Sequence, residues 1–315
     1  MRVAVLDDYL NVARASADWS VLDGRADLTV FHEAFDDAEA AVTALQSFEI
    51  VVAMRERTPF PRAVLERLPN LKLLITTGMR NLAIDVAAAR KRGVVVCGTR
   101  SDKAPTAELT WALILGLARN VATDHAAMRA GGWQSRVGVG LGGRTLGLLG
   151  LGSIGTLVAR AGQTFGMDVV AWSQNLTAER AAEVGVRRVA REEFFESADV
   201  LSIHVVLSDR TRGLVGAREL GLMKTTAFLV NTSRAPIVDE AALIAALDEG
   251  RLAGAALDVY DQEPLPGDHP LRRTERLLLT PHMGYVSDTN MATMYRDAVA
   301  DIVAFLDGAP VREIV

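Results

Sequence analysis

The stretch Arg144-Thr-Leu-Gly-Leu-Leu-Gly-Leu-Gly-Ser-Ile-Gly155 constrains this chain more than any other. Thr145–Leu149 is an apolar run suited to a buried strand. It breaks into Gly150-x-Gly152-x-x-Gly155, and residues 156–165 read as a helix. That is the dinucleotide-binding fingerprint in the setting it requires, a strand before and a helix after. The glycines let the backbone turn tightly and approach a pyrophosphate, whose charge the helix N-terminus favours. A glycine-rich turn by itself also serves plain strand–helix connections. Here the flanking elements make the case for a nucleotide site.

Around this stretch the chain alternates strand-like and helix-like segments. Strand candidates are 3–6, 28–31, 50–54, 73–76 and 94–96, with helix candidates at 37–46, 61–68 and 84–91. The longest helical pattern runs from Pro105 to about Ala130. It is apolar nearly all round, which predicts burial. A glycine-rich loop, 131–143, leads into the fingerprint. Further strands are expected at 169–172, 200–205, 227–231, 254–257 and 277–280, with helices at 240–248 and 288–306. Such alternation implies βαβ units and parallel sheets. A length of 315 residues suggests about two domains.

Composition excludes several classes. A net charge of −5 leaves no electrostatic footprint for nucleic acid. No uninterrupted apolar stretch approaches the roughly 20 residues a membrane helix needs. The start, Met-Arg-Val-Ala-Val-Leu-Asp-Asp, enters a strand pattern without signal-peptide anatomy. Cys97 is the single cysteine, so no intrachain disulfide can form and no metal site is expected. A cytoplasmic protein is the default expectation.

In open parallel α/β sheets, ligands bind outside the carboxyl ends of the strands. The polar residues at those ends are His204, then Thr232-Ser233-Arg234, then Asp258, and His282 after Pro281, with Glu263 on the loop leaving the Asp258 strand. An arginine can hold a carboxylate bidentately and polarise a neighbouring carbonyl. A histidine can exchange the alcohol proton, and a paired glutamate fixes its tautomer. The blander readings are a satisfied buried histidine at 204 and a loop salt bridge at Arg234. His32, His125 and His269 suit the surface or loops.

At these residues the chain resembles the D-isomer-specific 2-hydroxyacid dehydrogenase family. The likeness lies in 146–155, Asn231-Thr-Ser-Arg234 with Pro236-Ile-Val-Asp-Glu240, Ala255-Ala-Leu-Asp258-Val-Tyr-Asp-x-Glu263-Pro and Thr280-Pro-His282, with 71–96 and 105–120 in support. It runs from about Val51 to the C-terminus. The resemblance implies a Rossmann-type doubly wound parallel sheet (101–285) plus a discontinuous flavodoxin-like α/β substrate domain (1–100 and 286–315). It implies that Arg234 orients a 2-oxo acid and that His282 is the acid/base paired with Glu263. Cofactor contacts would come from Gly150, Gly152, Ser153, Ile154, Gly155, Ser173, His204, Thr232, Ser233, Asp258, Gly284 and Thr106. Substrate contacts would come from Arg55, Gly78, Met79 and Arg80, where relatives grip the carboxylate with backbone amides. A homodimer without a C-terminal regulatory domain is implied, and Glu263 in place of glutamine argues against the formate-oxidising branch.

Two departures bear on specificity. Ala171-Trp-Ser173-Gln-Asn175 lacks the acid expected at the ribose, so the cofactor is NAD with NADP admissible. Arg80 stands where many relatives have glycine, which narrows or charges the substrate site. The expected function is hydride transfer between NAD(P)H and a small 2-oxo acid or D-2-hydroxy acid. The competing reading is an NAD(H)-sensing, co-repressor-like binding protein on the same fold, which fold alone does not exclude.

Overall fold

Strands that are apolar at every position can be satisfied only when both faces of their sheet are covered, the condition of parallel sheets flanked by helices. The computed structural model, which describes all 315 residues, meets that condition twice. The chain divides into two units, Met1–Asp102 with Val286–Val315, and Lys103–Tyr285.

The first unit holds β1 (Arg2–Val5), β2 (Asp27–Val30), β3 (Ile50–Ala53), β4 (Leu73–Thr76) and β5 (Val95–Gly98), in the order β2-β1-β3-β4-β5, all parallel. β3 and β4 are buried at every residue. The edge strand β2 alternates between exposed and half-buried positions. On the other edge the chain terminus pairs with β5, with Ile314 N donating to Val96 O at 2.8 Å. Asp37 and Asp85 cap Ala38–Leu45 and Val86–Lys91 by accepting from Ala40 N and Ala88 N, both at 2.8 Å. The helix expected over 61–68 contracts to one turn, Arg62–Leu65.

The helix Asp288–Leu306 packs within this unit, on Ala13–Ser16 and β4. Its buried residues Met291, Met294, Tyr295, Ala298 and Ile302 recur at helical spacing. Asp297 and Asp301 share that buried face. Arg100 grips Asp297 through Nη2 at 2.7 Å and its backbone amide at 2.8 Å. Asp301 has less help. Arg312 Nη2 lies 2.8 Å from its Oδ1 and also donates to Asp297 O at 2.8 Å, so one guanidinium serves two acceptors.

The second unit holds β6 (Thr145–Leu149), β7 (Asp168–Trp172), β8 (Arg187–Arg188), β9 (Val200–Ile203), β10 (Phe228–Asn231), β11 (Gly254–Leu257) and β12 (Leu277–Leu279). They form one parallel sheet in the order β12-β11-β10-β9-β6-β7-β8. Successive residues of a strand serve opposite faces. Leu229 and Ala255 join Phe194, Phe195 and Leu243 in one core, while Val230 and Ala256 join Trp111, Ile114 and Val158 in the other. Strand order reverses between β6 and β9, which is the switch point where such sheets bind ligands.

One expectation is corrected. The single helix expected from Pro105 to Ala130 is two, Ala104–Ala118 and Val121–Arg129. The break falls at Asn120, left-handed at φ 52°, a conformation asparagine tolerates better than most residues. Only the first helix is buried; none of Val121–Arg129 is. The apolar pattern ends at Leu117-Ala118, and Val121-Ala-Thr-Asp-His-Ala-Ala-Met-Arg has no core face. β8 and the short helices Ala178–Ala182, Arg191–Ser197 and Ala217–Leu222 were not anticipated.

Asp301 generates a pH test of this packing. Burial, with the neighbouring Asp297 charge adding to it, outweighs Arg312 and pushes its pKa up to about 7. The folded chain therefore holds this proton at pH values where the unfolded chain has released it, so Asp301 lowers stability as pH rises from about 4 to about 7. Asp301→Asn is expected to flatten urea-midpoint stability over that window and to raise it above pH 7. Identical pH slopes in both proteins would clear Asp301 of the effect.

Candidate active site

The glycine turn after β6 is shaped by sterics the sequence encodes directly. Gly150 has φ +100°, and a Cβ there would come within 2.9 Å of Val205 Cγ1. A Cβ on Gly155 would collide with Gly150 O. Gly152 differs: a Cβ there meets no protein atom, so packing does not demand its glycine, and the open side can admit a ligand to the backbone. Gly152 caps Ser153–Thr164 without a side-chain hydrogen bond, and Thr156 N is the first amide to bond back, to Gly152 O at 2.9 Å. The amides of Ser153, Ile154 and Gly155 remain as donors at a helix N-terminus, the arrangement that holds a pyrophosphate. The residues present thus fit a dinucleotide.

The strands beside this turn deliver the polar residues. His204 leaves β9 with its amide on Leu149 O at 2.8 Å and its ring Nε2 2.9 Å from Ser202 Oγ. Although part of its surface is accessible, desolvation of the ring pushes its pKa down to about 4, so it is neutral at pH 7. After β10, Asn231 shapes the next turn. Its Nδ2 donates to Arg234 O and its Oδ1 accepts from Ser233 N, both at 3.0 Å. Ser233 Oγ donates to Val205 O at 2.6 Å, and Arg234 Nη1 to Ser233 O at 2.7 Å. Thr232 Oγ1 pairs at 2.9 Å with Thr110, whose hydroxyl also reaches Thr106 O at 2.8 Å.

Asp258, buried at the end of β11, gathers the next turn. It accepts from Thr280 Oγ1 at 2.7 Å and from the amides of Met283 and Gly284 at 2.9 Å each. Burial raises its pKa, and these hydrogen bonds with the His282 charge pull it partly back. The turn places His282 at φ 49° and its Nδ1 2.5 Å from Glu263 Oε2. Glu263 Oε1 accepts from Tyr260 N at 2.9 Å. A carboxylate on Nδ1 assigns the proton there and leaves Nε2 as the atom able to exchange a proton with a ligand. A Cβ on Gly284 would lie 3.1 Å from Asp258 Oδ2 and 3.3 Å from Thr106 Cγ2.

Arg55 follows β3 at φ 53°, with Nη1 donating to Thr77 O at 3.1 Å. Gly78 has φ +105°, and a Cβ there would collide with the Arg55 guanidinium. The expected backbone grip is narrower than the Gly78–Arg80 stretch suggested. The Gly78 amide is consumed by Thr99 Oγ1 at 2.9 Å, which leaves those of Met79 and Arg80.

The structure joins His282 to Glu263, Asp258 to the turn through Gly284, Thr232 to Thr110, and Gly150 to the exit of β9. Three supporting residues escaped the sequence reading: Thr110, Tyr260 and Asn231 as a turn-maker. Thr110 lies one helical turn beyond Thr106, and Tyr260 three residues before Glu263; those spacings were the available signals.

Comparison with known proteins places the chain in a family. Residues 111–284 match the family model described as D-isomer specific 2-hydroxyacid dehydrogenase, NAD binding domain. The chain is 40% identical over 255 residues to a glyoxylate reductase of Aeropyrum pernix, covering 78% of this chain and 76% of that one. It is 34% identical over 280 residues to a D-3-phosphoglycerate dehydrogenase of Archaeoglobus fulgidus, covering 88% of this chain but only 53% of that longer relative. A solved phosphoglycerate oxidoreductase from Vibrio cholerae O395 superposes with a TM-score of 0.93 at 38% identity, over 98% of this chain and 100% of that one.

The end of β7 yields a test of cofactor choice. Ser173 offers no carboxylate to repel a 2′-phosphate. The nearby cations are engaged: Arg180 with Glu183 at 2.6 Å, Arg188 with Leu176 O at 2.8 Å, and Arg191 with Glu219 at 3.0 Å. Values of kcat/KM with NADH and NADPH are expected to agree within about tenfold, or roughly 1.4 kcal/mol. Ser173→Asp should shift preference towards NADH. A wild type strongly selective for NADPH would show that one of these arginines leaves its partner for the phosphate.

Proposed function

Because the chain belongs to the D-isomer-specific 2-hydroxyacid dehydrogenase family, we propose that the His282–Glu263 pair and Arg234 are the working parts of its oxidoreductase chemistry. The chain is an NAD(P)-dependent enzyme acting on 2-oxo and D-2-hydroxy acids. A bound reduced nicotinamide supplies the hydride, and all else falls to the protein. The observation that carries the assignment is the 2.5 Å contact between His282 Nδ1 and Glu263 Oε2. It leaves Nε2 free to give a proton to the carbonyl oxygen of the acid during reduction, and to take it from the hydroxyl in reverse. Glu263, held by the Tyr260 amide, fixes the ring and balances the imidazolium.

Arg234 orients the acid through its planar guanidinium, which matches a carboxylate in two parallel hydrogen bonds. Ser153, Ile154 and Gly155 hold the pyrophosphate. Ser173 faces the adenosine ribose, and His204, Thr232, Ser233, Gly284 and Thr106 line the cofactor. Asp258 lies by the nicotinamide amide and positions the His282 turn. The unit 1–100 with 286–315 supplies the substrate grip and 101–285 the dinucleotide site. Small relatives named glyoxylate reductase support a short 2-oxo acid as substrate.

We read the protein as a cytoplasmic homodimer. Support for the second copy comes from the arm after Asn120. Val121–Arg129 buries nothing, and the loop beyond exposes Trp133 at 72% and Val137 at 95%, apolar surface that a second copy would cover. No helix is long and apolar enough to cross a membrane.

Two measurements test these readings. With a panel of 2-oxo acids followed at the nicotinamide absorbance, His282→Ala is expected to lower kcat by roughly 10²–10⁴-fold while NADH binding stays near normal. An unchanged kcat would remove His282 from the mechanism. By light scattering the wild type should have twice the chain mass and the double variant Trp133→Ser, Val137→Asp the mass of one chain. A monomeric wild type would refute the dimer.

A further inference from the structure

The loop leaving β4 carries one cation that its own unit does not use. Three arginines follow the exits of β3 and β4, at 55, 57 and 80. Arg55 is turned inward, on Thr77 O at 3.1 Å and 3.9 Å from Glu56 Oε2. Arg57 donates to Asp7 O at 2.8 Å and lies over the Tyr9 ring at 4.4 Å. The Asp7 carboxylate accepts from Thr58 at 2.8 Å. Arg80 is exposed and makes no ion pair or hydrogen bond within the protein. Its amide and that of Met79 are likewise unspent. The backbone beneath is fixed, because Gly78 stands at a positive φ over the Arg55 guanidinium and Asn81 Nδ2 holds Arg55 O at 2.6 Å.

We propose that this loop selects 2-oxo acids carrying a second anionic group, the α-carboxylate resting on the Met79 and Arg80 amides and the distal anion meeting the Arg80 guanidinium. The inference rests on the 2-oxo-acid reductase reading above and names its substrate class. Two adjacent amides suit one carboxylate. An anion held there leaves the guanidinium, several bonds further out, for another. A guanidinium pairs bidentately with carboxylate or phosphate, so either serves as the distal group. Unpaired in the free enzyme, Arg80 breaks no internal salt bridge when it binds. The distal group takes no part in the reaction: hydride adds to C2, a proton to its oxygen, and the second anion leaves unchanged.

The experiment compares kcat/KM for matched pairs, oxaloacetate against 2-oxobutanoate and 3-phosphonooxypyruvate against hydroxypyruvate, with glyoxylate as the shortest monoanion. The wild type is expected to favour the dianion by about tenfold in at least one pair, the size an exposed charge pair can deliver. Whichever pair shows it tells carboxylate from phosphate. Arg80→Glu should lower that ratio by at least about tenfold, and Arg80→Lys should keep part of it. In the wild type alone, KM for the dianion should rise more steeply with salt than KM for its monoanionic partner. Ratios near one in both pairs, or a ratio untouched by Arg80→Glu, overturn the inference while leaving the reductase reading intact. Failure to reduce any of the five acids removes the reductase reading and this inference with it.

Discussion

The buried carboxylate of Asp258 is the contact on which the geometry of the proposed active site depends. A carboxyl group moved out of water is costly unless hydrogen bonds replace its hydration. Asp258 receives three, and each comes from the turn that follows β12. Two are backbone amides, so Asp258 fixes the path of the chain and not merely a side chain. His282 lies within that turn at φ 49°, a conformation that persists for a non-glycine residue only where the surroundings over-determine it. From there the constraint passes outward through Glu263 Oε2 on His282 Nδ1 to the Tyr260 amide on Glu263 Oε1. A histidine on a loop thus acquires the precision of a strand end.

Parallel register explains why residues far apart in sequence meet here. Ile203 pairs with Asn231, Asn231 with Leu257, and Leu257 with Leu279. These four partners end or nearly end their strands, so His204, Thr232, Asp258 and Thr280 leave the sheet side by side. Neighbouring strands lie about 4.8 Å apart, which confines the four exits to roughly 15 Å. β6 borders β9 on the far side and brings Gly150 against the backbone of His204. No long-range tether is needed, since the ladder that satisfies the backbone also assembles the rim.

The legible part of this chain was the part whose cause is local. Gly150, Gly152 and Gly155 are legible because the fingerprint they form spans six residues, and strand exits follow from short apolar runs ending in polar residues. Motif resemblance then carried the pairing of Glu263 with His282, where no local rule would have joined positions 263 and 282. What resisted reading depends on partners. Asn120 breaks a helix that its neighbours' propensity would continue. Thr110 earns its role only from Thr232, 122 positions away. The Gly78 amide, unspent by any local rule, is taken by Thr99 Oγ1, 21 positions away. Hydrogen-bond competition of this kind leaves no periodic trace.

Charge on the two rims is divided between backbone and side chains, and the division follows from burial. Around the glycine turn the one nearby titratable ring, His204, is held neutral at pH 7 by desolvation. A pyrophosphate at this turn would be attracted by the unspent amides and the aligned peptide dipoles of Ser153–Thr164, which need no counterion and no desolvation of a formal charge. After β4 the same device recurs in the Met79 and Arg80 amides, now with a formal cation beside it that remains exposed and hydrated. A neutral backbone cradle would select a dinucleotide by shape, with no formal charge of its own. An exposed guanidinium such as that of Arg80 would add a weaker, salt-sensitive attraction that reads only charge. Shape recognition and charge recognition are thus built from different atoms, which lets the second vary by a single substitution at position 80 without disturbing the first.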